Sequence, residues 1–219
     1  MTHILLINPN TSEATTSEMV AIAETVAPQG TEVSGVTARR GPRMILQADE
    51  LRAAVSEVID LGLAAAGDID GIIIGAFGDP GVAQLRRQVS VPVVGIAEAS
   101  MQEAAEGGRR FGVATTTPAL VEIIAAYVTR LGLADLYAGT RLTSGDPLAL
   151  VADPALLVDA LAEAARHSIE CDEAEAVVIG GGPLGKAAVA VAERFAAPII
   201  APVPAAMRRV MRMVNDARA

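Results

Sequence analysis

Two segments of this chain carry backbone groups that could do chemistry without help from any particular side chain. In Gly71-Ile-Ile-Ile-Gly-Ala-Phe-Gly-Asp-Pro-Gly81 and in Ala176-Val-Val-Ile-Gly-Gly-Gly-Pro-Leu-Gly-Lys186, a short apolar run breaks into a turn rich in glycine and proline. Successive N–H groups after Gly75, at Ala76, Phe77 and Gly78, and after Gly180, at Gly181 and Gly182 with Pro183 following, would suit a carboxylate or enolate oxygen. Glycines also serve simply to let a chain turn tightly. Two such turns in one chain favour the binding reading.

Polar side chains gather at comparable places. Asn8, Asn10, Thr11 and Ser12 follow the first apolar run, and Thr115, Thr116 and Thr117 follow a later one. They offer neutral donors and acceptors to a small acid or cyclic amide, while Thr11 or Ser12 could equally cap the helix that follows. Asp79 and Glu98 are the candidate acid or base residues: Asp79 sits in the Gly-Asp-Pro-Gly turn, and Glu98 just after the run 93–96. Their structural alternatives are a turn opener and an exposed helix-start acid. Arg43 could clamp a carboxylate in bidentate fashion or simply be solvated. Lys186 and His167 read as solvated or structural, and His3 precedes its strand, on the side away from such a site.

The elements that must position these groups alternate from end to end. Short β-branched runs at 4–7, 33–36, 72–74, 93–96, 111–114, 177–179 and 199–200 are separated by amphipathic, alanine-rich stretches such as 51–66 and 154–170. Continuous apolar strands between helices predict an α/β protein with parallel sheets covered on both faces. Asp153-Pro154 reads as a helix start, with Asp153 as the cap. In such sheets ligands bind at the carboxyl ends of the strands. Ile7-Asn-Pro-Asn-Thr11 aligns with Ala114-Thr-Thr-Thr-Pro118, the two glycine turns align, and Val91-Pro-Val-Val94 aligns with Ala197-Pro-Ile-Ile200, all at offsets of 105–107 residues. The repeat predicts two pseudo-symmetric parallel-sheet halves with an active-site cleft between them: 1–98 plus 201–219, and 99–200.

Composition narrows the partners. A formal net charge of −9 opposes binding to a phosphate backbone, so nucleic acid is not expected. No apolar run spans a bilayer and no leader-like segment opens the chain, which points to a cytoplasmic protein with no membrane partner. One cysteine, Cys171, and two histidines give no ligand cluster, so no metal is expected. With hydrophobic residues at 52% and aromatics at 2%, the core must be built from Ala, Val, Ile and Leu.

Ile7-Asn-Pro-Asn-Thr-Ser12, Gly41-Pro42, Phe77-Gly-Asp-Pro-Gly81, Val93-Val-Gly-Ile-Ala-Glu98 and Thr115-Thr116 together resemble the aspartate/glutamate/hydantoin racemase superfamily, most closely its hydantoin and allantoin racemase branch. The resemblance implies two α/β domains flanking the active site, no cofactor, a small α-chiral acid or cyclic ureide as substrate, and assembly into homo-oligomers. It also implies two cysteines, one per half, working as acid and base on opposite faces of a stereocentre. The positions that match them are Ala76 and Gly181, and neither a methyl group nor a hydrogen can carry a proton. Cys171 precedes its strand and lies at the wrong end to replace them. The expectation is therefore a cofactor-independent enzyme of this superfamily with non-thiol chemistry of lyase, decarboxylase or hydrolase type. The alternatives are a racemase whose cysteines have been substituted, and a paralogue that binds a small molecule without turning it over.

Overall fold

Runs such as Ile72-Ile-Ile74 put apolar side chains on both faces of a sheet, so each strand has to be covered twice. The computed structural model shows that arrangement in two copies. It describes residues 1–218, and at Pro183 the backbone alone, so the binding role expected of the Pro183 side chain lies outside the described residues. Met1–Ala99 with the chain from Val203 onward forms one compact unit, and Ser100–Pro202 forms a second.

The first unit contains β1 (Thr2–Asn8), α1 (Glu13–Glu24), β2 (Thr31–Thr37), α2 (Ala48–Ala65), β3 (Gly71–Ile74), the short α3 (Val82–Leu85), β4 (Val93–Gly95) and the start of α4 (Ile96–Ala104). Its four strands are all parallel, in the order β2-β1-β3-β4. Leu5, Ile7, Ile72 and Ile74 face α2 and α3 and pack on Val58 and Leu85. The other face is closed by α1 and by the last helix. A Cβ at Gly75 would stand 2.8 Å from Met19 Cε of α1, and one at Gly71 would stand 2.8 Å from Val210 Cγ2 near the chain's end. Glycine at these two positions lets both helices reach the sheet.

The second unit repeats the plan with β5 (Phe111–Thr115), α5 (Val121–Arg130), β6 (Tyr137–Leu142), α6 (Pro147–Ala152), α7 (Pro154–Cys171), β7 (Ala176–Ile179), α8 (Gly185–Ala192) and β8 (Ile199–Ile200). Its order, β6-β5-β7-β8, is the same second-first-third-fourth pattern, again parallel throughout. Ala114, Val177 and Ile179 pack against Leu157, Leu161 and Ala165 of α7 and Ala188 and Val191 of α8. The internal repeat is therefore present in the topology itself. The last helix, α9 (Pro202–Arg218), returns to the first unit, where Arg218 bonds Thr2 Oγ1 at 2.9 Å and Asp70 Oδ1 at 2.7 Å.

Three details differ from the sequence expectation. An eighth strand, β6, occupies 137–142, where Tyr-Ala-Gly-Thr-Arg-Leu has no continuous apolar run. It is an edge strand with half-buried side chains, so burial never demanded the pattern that reveals a central strand. The run 93–96 divides, with the strand ending at Gly95 and the helix beginning at Ile96. Helix α2 starts at Ala48, ahead of its apolar periodicity, because Glu50 Oε2 accepts from the N–H groups of Leu46 and Gln47. Asp153 does cap α7, accepting from Ala155 and Leu156 N–H at 3.1 Å each. Among the described residues no helix is long and apolar enough to cross a membrane.

Candidate functional site

The polar loop after β1 is organised by one fully buried amide. Asn8 Nδ2 donates to Asn10 Oδ1 at 2.9 Å, Ser12 O at 3.0 Å and Thr16 Oγ1 at 2.9 Å, while Asn8 Oδ1 accepts from Asn10 N–H at 3.1 Å. Asn10 Oδ1 also accepts from Ser12 N–H, and Ser12 caps α1 through Thr15 N–H. Asn8 thus shapes the loop through all of these bonds. The Asn10 amide nitrogen and the Thr11 hydroxyl make no hydrogen bond among the described residues. Thr11 N–H is tied to Pro42 O at 3.0 Å, which holds the 39–46 loop beside it. Arg43 in that loop is exposed. Nearby, Arg40 clasps Glu57, whose carboxyl is held below its usual value first by Arg40 and then by Arg39 N–H.

The glycine turn after β3 begins with Gly75 N–H donating to Ile7 O at 2.8 Å. The next three N–H groups, of Ala76, Phe77 and Gly78, make no hydrogen bond among the described residues. Three successive unpaired donors in such a turn are available to bind an anion. Asp79 follows with a left-handed backbone (φ 54°) and a buried carboxylate. Its Oδ1 accepts from Ala97 N–H at 2.9 Å and its Oδ2 from Glu98 N–H at 2.8 Å, so it caps α4 across 18 residues of sequence. Gly95 exists to admit it: a Cβ there would lie 2.0 Å from Asp79 Cγ.

Glu98 is buried and clasped by Arg86 through both guanidinium nitrogens, while Arg86 Nε donates to Val93 O at 2.8 Å and Arg209 Nε of α9 stands 4.0 Å from the same carboxylate. Asp79 and Glu98, the expected acid or base residues, thus also help to hold α4 in place, Asp79 through the α4 backbone and Glu98 through Arg86. Neither Arg86 nor Gly95 stands out in the sequence, since their partners lie 12 and 16 residues away in unrelated patterns.

In the second unit the same framework recurs with different side chains. Gly180 N–H donates to Ala114 O at 2.8 Å, the counterpart of the bond from Gly75 to Ile7. Thr115 Oγ1 donates to Gly180 O at 2.7 Å and is buried in the sheet. Thr116 is 3% exposed and its hydroxyl has no partner among the described residues. Thr117 precedes a single 3₁₀ turn without capping it through its side chain. Gly181 has an extended backbone, and a Cβ on it would stand 2.9 Å from Leu184 Cδ1 and Cγ. Gly182 N–H is also without a bond among the described residues. Thr116, Thr117, Gly181 and Gly182 therefore meet at the carboxyl end of the second sheet. Asn10, Thr11, Ala76, Phe77 and Gly78 meet at the carboxyl end of the first.

The remaining reactive side chains lie elsewhere. Cys171 is exposed at the end of α7, level with the amino end of β7. His3 bonds Ser34 Oγ at 2.7 Å at the amino end of the first sheet, and His167 pairs with Glu163 at 3.1 Å on the exposed face of α7. Lys186 is exposed on α8. Among the described residues no group of three or more His, Cys, Asp or Glu side chains could hold a metal ion.

Both the sequence and the fold of this chain match known proteins. The sequence pattern described as Asp/Glu/Hydantoin racemase matches residues 4–210. The chain belongs to the Asp/Glu/hydantoin racemase family. Within that family it is 29% identical over 207 residues to a hydantoin racemase of Paenarthrobacter aurescens, covering 94% of this chain and 88% of that protein. It is 30% identical to a hydantoin racemase of Rhizobium meliloti, covering 94% and 86%. Among solved structures, an allantoin racemase of Klebsiella pneumoniae superposes with a TM-score of 0.93 at 31% identity, covering 99% of this chain and 89% of that one.

Proposed function

We propose that this protein is a cofactor-independent enzyme of the racemase superfamily that acts on a small carboxylic acid or cyclic ureide without thiol chemistry. The observation that carries this reading is the run of unpaired N–H donors at Ala76, Phe77 and Gly78. A receptor of that kind stabilises negative charge as it develops on an enolate or carboxylate oxygen, whatever side chains stand beside it. The relatives named for hydantoin and allantoin racemisation supply the substrate class.

Racemisation removes a proton on one face of a stereocentre and returns one on the other, which takes two proton-carrying groups. Ala76 and Gly181 stand where the resemblance puts the family's cysteines, and the two nearby carboxylates of the first unit are engaged in structure. Chemistry that starts with a departing group needs less. In a decarboxylation, the electron pair of the breaking C–C bond passes to the α-carbon and is delocalised onto an oxygen held by the turn. Carbon dioxide leaves, and the carbanion takes its proton from water. Opening a ureide ring likewise loads negative charge onto an oxygen first.

Packing speaks against a racemase from which cysteines have been substituted. A Cβ at Gly181 would stand 2.9 Å from Leu184 Cδ1 and Cγ, so a side chain there would require Leu184 to shift.

The test is proton NMR of the protein in D₂O with hydantoins, allantoin, amino acids and arylmalonates. New product resonances are expected from at least one of them. Exchange of an α-proton without a new product would overturn the non-thiol lyase or hydrolase reading in favour of reversible deprotonation. Silence with every compound, accompanied by binding, would favour a paralogue that holds a ligand without turning it over.

A further inference from the structure

We propose that Thr143, at the end of the edge strand β6, is a ligand-binding residue. Its hydroxyl works as a pair with that of Thr116 to take adjacent C=O and N–H groups of the substrate. The inference rests on the reading above that a small acid or ureide binds here, and it assigns the part of the molecule that the second unit recognises.

Register places the two residues together. Parallel pairing runs from Gly112 with Gly139 to Thr115 with Leu142, and Thr143 N–H then donates to Thr115 O at 3.0 Å, extending the ladder by one step. Continuing that register by one residue sets the Thr116 backbone beside that of Thr143, about 5 Å apart at the ordinary strand spacing. Both Oγ1 atoms are buried and neither has a hydrogen-bond partner among the described residues. A hydroxyl left in that state costs about 1–3 kcal/mol, a cost a protein removes by substitution unless something else bonds the group.

The fold does not require hydroxyls here. In the first unit Ala38 N–H donates to Asn8 O at 2.9 Å, the same ladder bond, which makes Ala38 the counterpart of Thr143 and Pro9 the counterpart of Thr116. The apolar pair closes its end of the sheet without any unpaired side-chain group. Nor is the feature a by-product of a threonine run, because Thr115 spends its hydroxyl on Gly180 O.

The chemistry of the pair restricts the ligand. A hydroxyl both donates and accepts, whereas a carboxylate only accepts. Two hydroxyls beside uncharged glycines therefore match the alternating C=O and N–H edge of a cyclic ureide better than the two oxygens of an acid.

Binding of hydantoin and of phenylmalonate to the full chain, measured by titration calorimetry, tests this for wild type, Thr143→Val, Thr143→Ser and Thr116→Val. Thr143→Val should weaken hydantoin about tenfold and phenylmalonate less, with Thr143→Ser restoring most of the loss. Its Tm without ligand should equal or exceed that of wild type, since no protein bond is broken. Undiminished hydantoin binding by Thr143→Val, or a fall in its Tm without rescue by serine, overturns the proposal and leaves the broader function standing. Failure of the wild type to bind either compound overturns both.

Discussion

At the scale of single residues, the candidate site is held by contacts between groups that sequence does not associate. Asp79 is the main example. A carboxylate in a Gly-Asp-Pro-Gly turn has the composition of a catalytic acid, yet its two oxygens terminate the backbone of α4. Its left-handed backbone costs of order 1 kcal/mol, which the two charge-assisted bonds to Ala97 and Glu98 offset. Gly95 is fixed by the same carboxylate rather than by a turn. Gly95→Ala drives a methyl group into Asp79 Cγ, and either the strand or the cap must move. The expected loss is about 1–3 kcal/mol in urea unfolding, with faster hydrogen exchange in the first turn of α4. An unchanged midpoint would show that Asp79 does not lie across the strand.

Elements, in turn, are tied by ion pairs whose charge state sets their strength. Asp172, just past α7, accepts from Arg141 Nε at 2.7 Å and joins the edge strand β6 to the end of that helix. Arg141 holds the Asp172 carboxyl below its usual value. A depressed carboxyl contributes stability above its unfolded pKa of about 3.9, and that contribution disappears as pH falls through the lower folded value. Asp172→Asn should therefore be less stable than wild type at pH 7, and the two unfolding midpoints should converge as pH falls through the lowered folded value. A gap that stays constant with pH would mean that the pair contributes through packing alone. The edge strand needs such ties because its half-buried residues bring little apolar area of their own.

On the scale of the whole molecule, the chain is two copies of one four-stranded plan, and its last helix belongs to the first copy. Val203, Ala206, Met207 and Val210 of α9 are fully buried, and Val210 lies against Gly71 at the start of β3. Met207→Ala should cost about 2–5 kcal/mol, and the amides of β1 and β3 should exchange faster, although they lie more than 100 residues away in sequence. Normal protection of those strands in the variant would show that α9 is not part of their core.

The sequence by itself determined the alternation of strands and helices, the parallel sheets, the repeat at 105–107 residues and the two glycine turns. Those features follow from local chemistry: β-branched runs, helical periodicity and turn residues act over a few neighbours. The strand β6 escaped because an edge strand is not forced to be apolar. Tertiary structure alone decided the tasks of individual polar groups. Asn8 shapes a loop, Asp79 and Glu98 hold a helix, and Thr116 and Thr143 carry hydroxyls with no partner. The physical reason is that a side chain's role depends on which donor or acceptor faces it. Here those partners come from strands and helices that meet only once the sheets have formed.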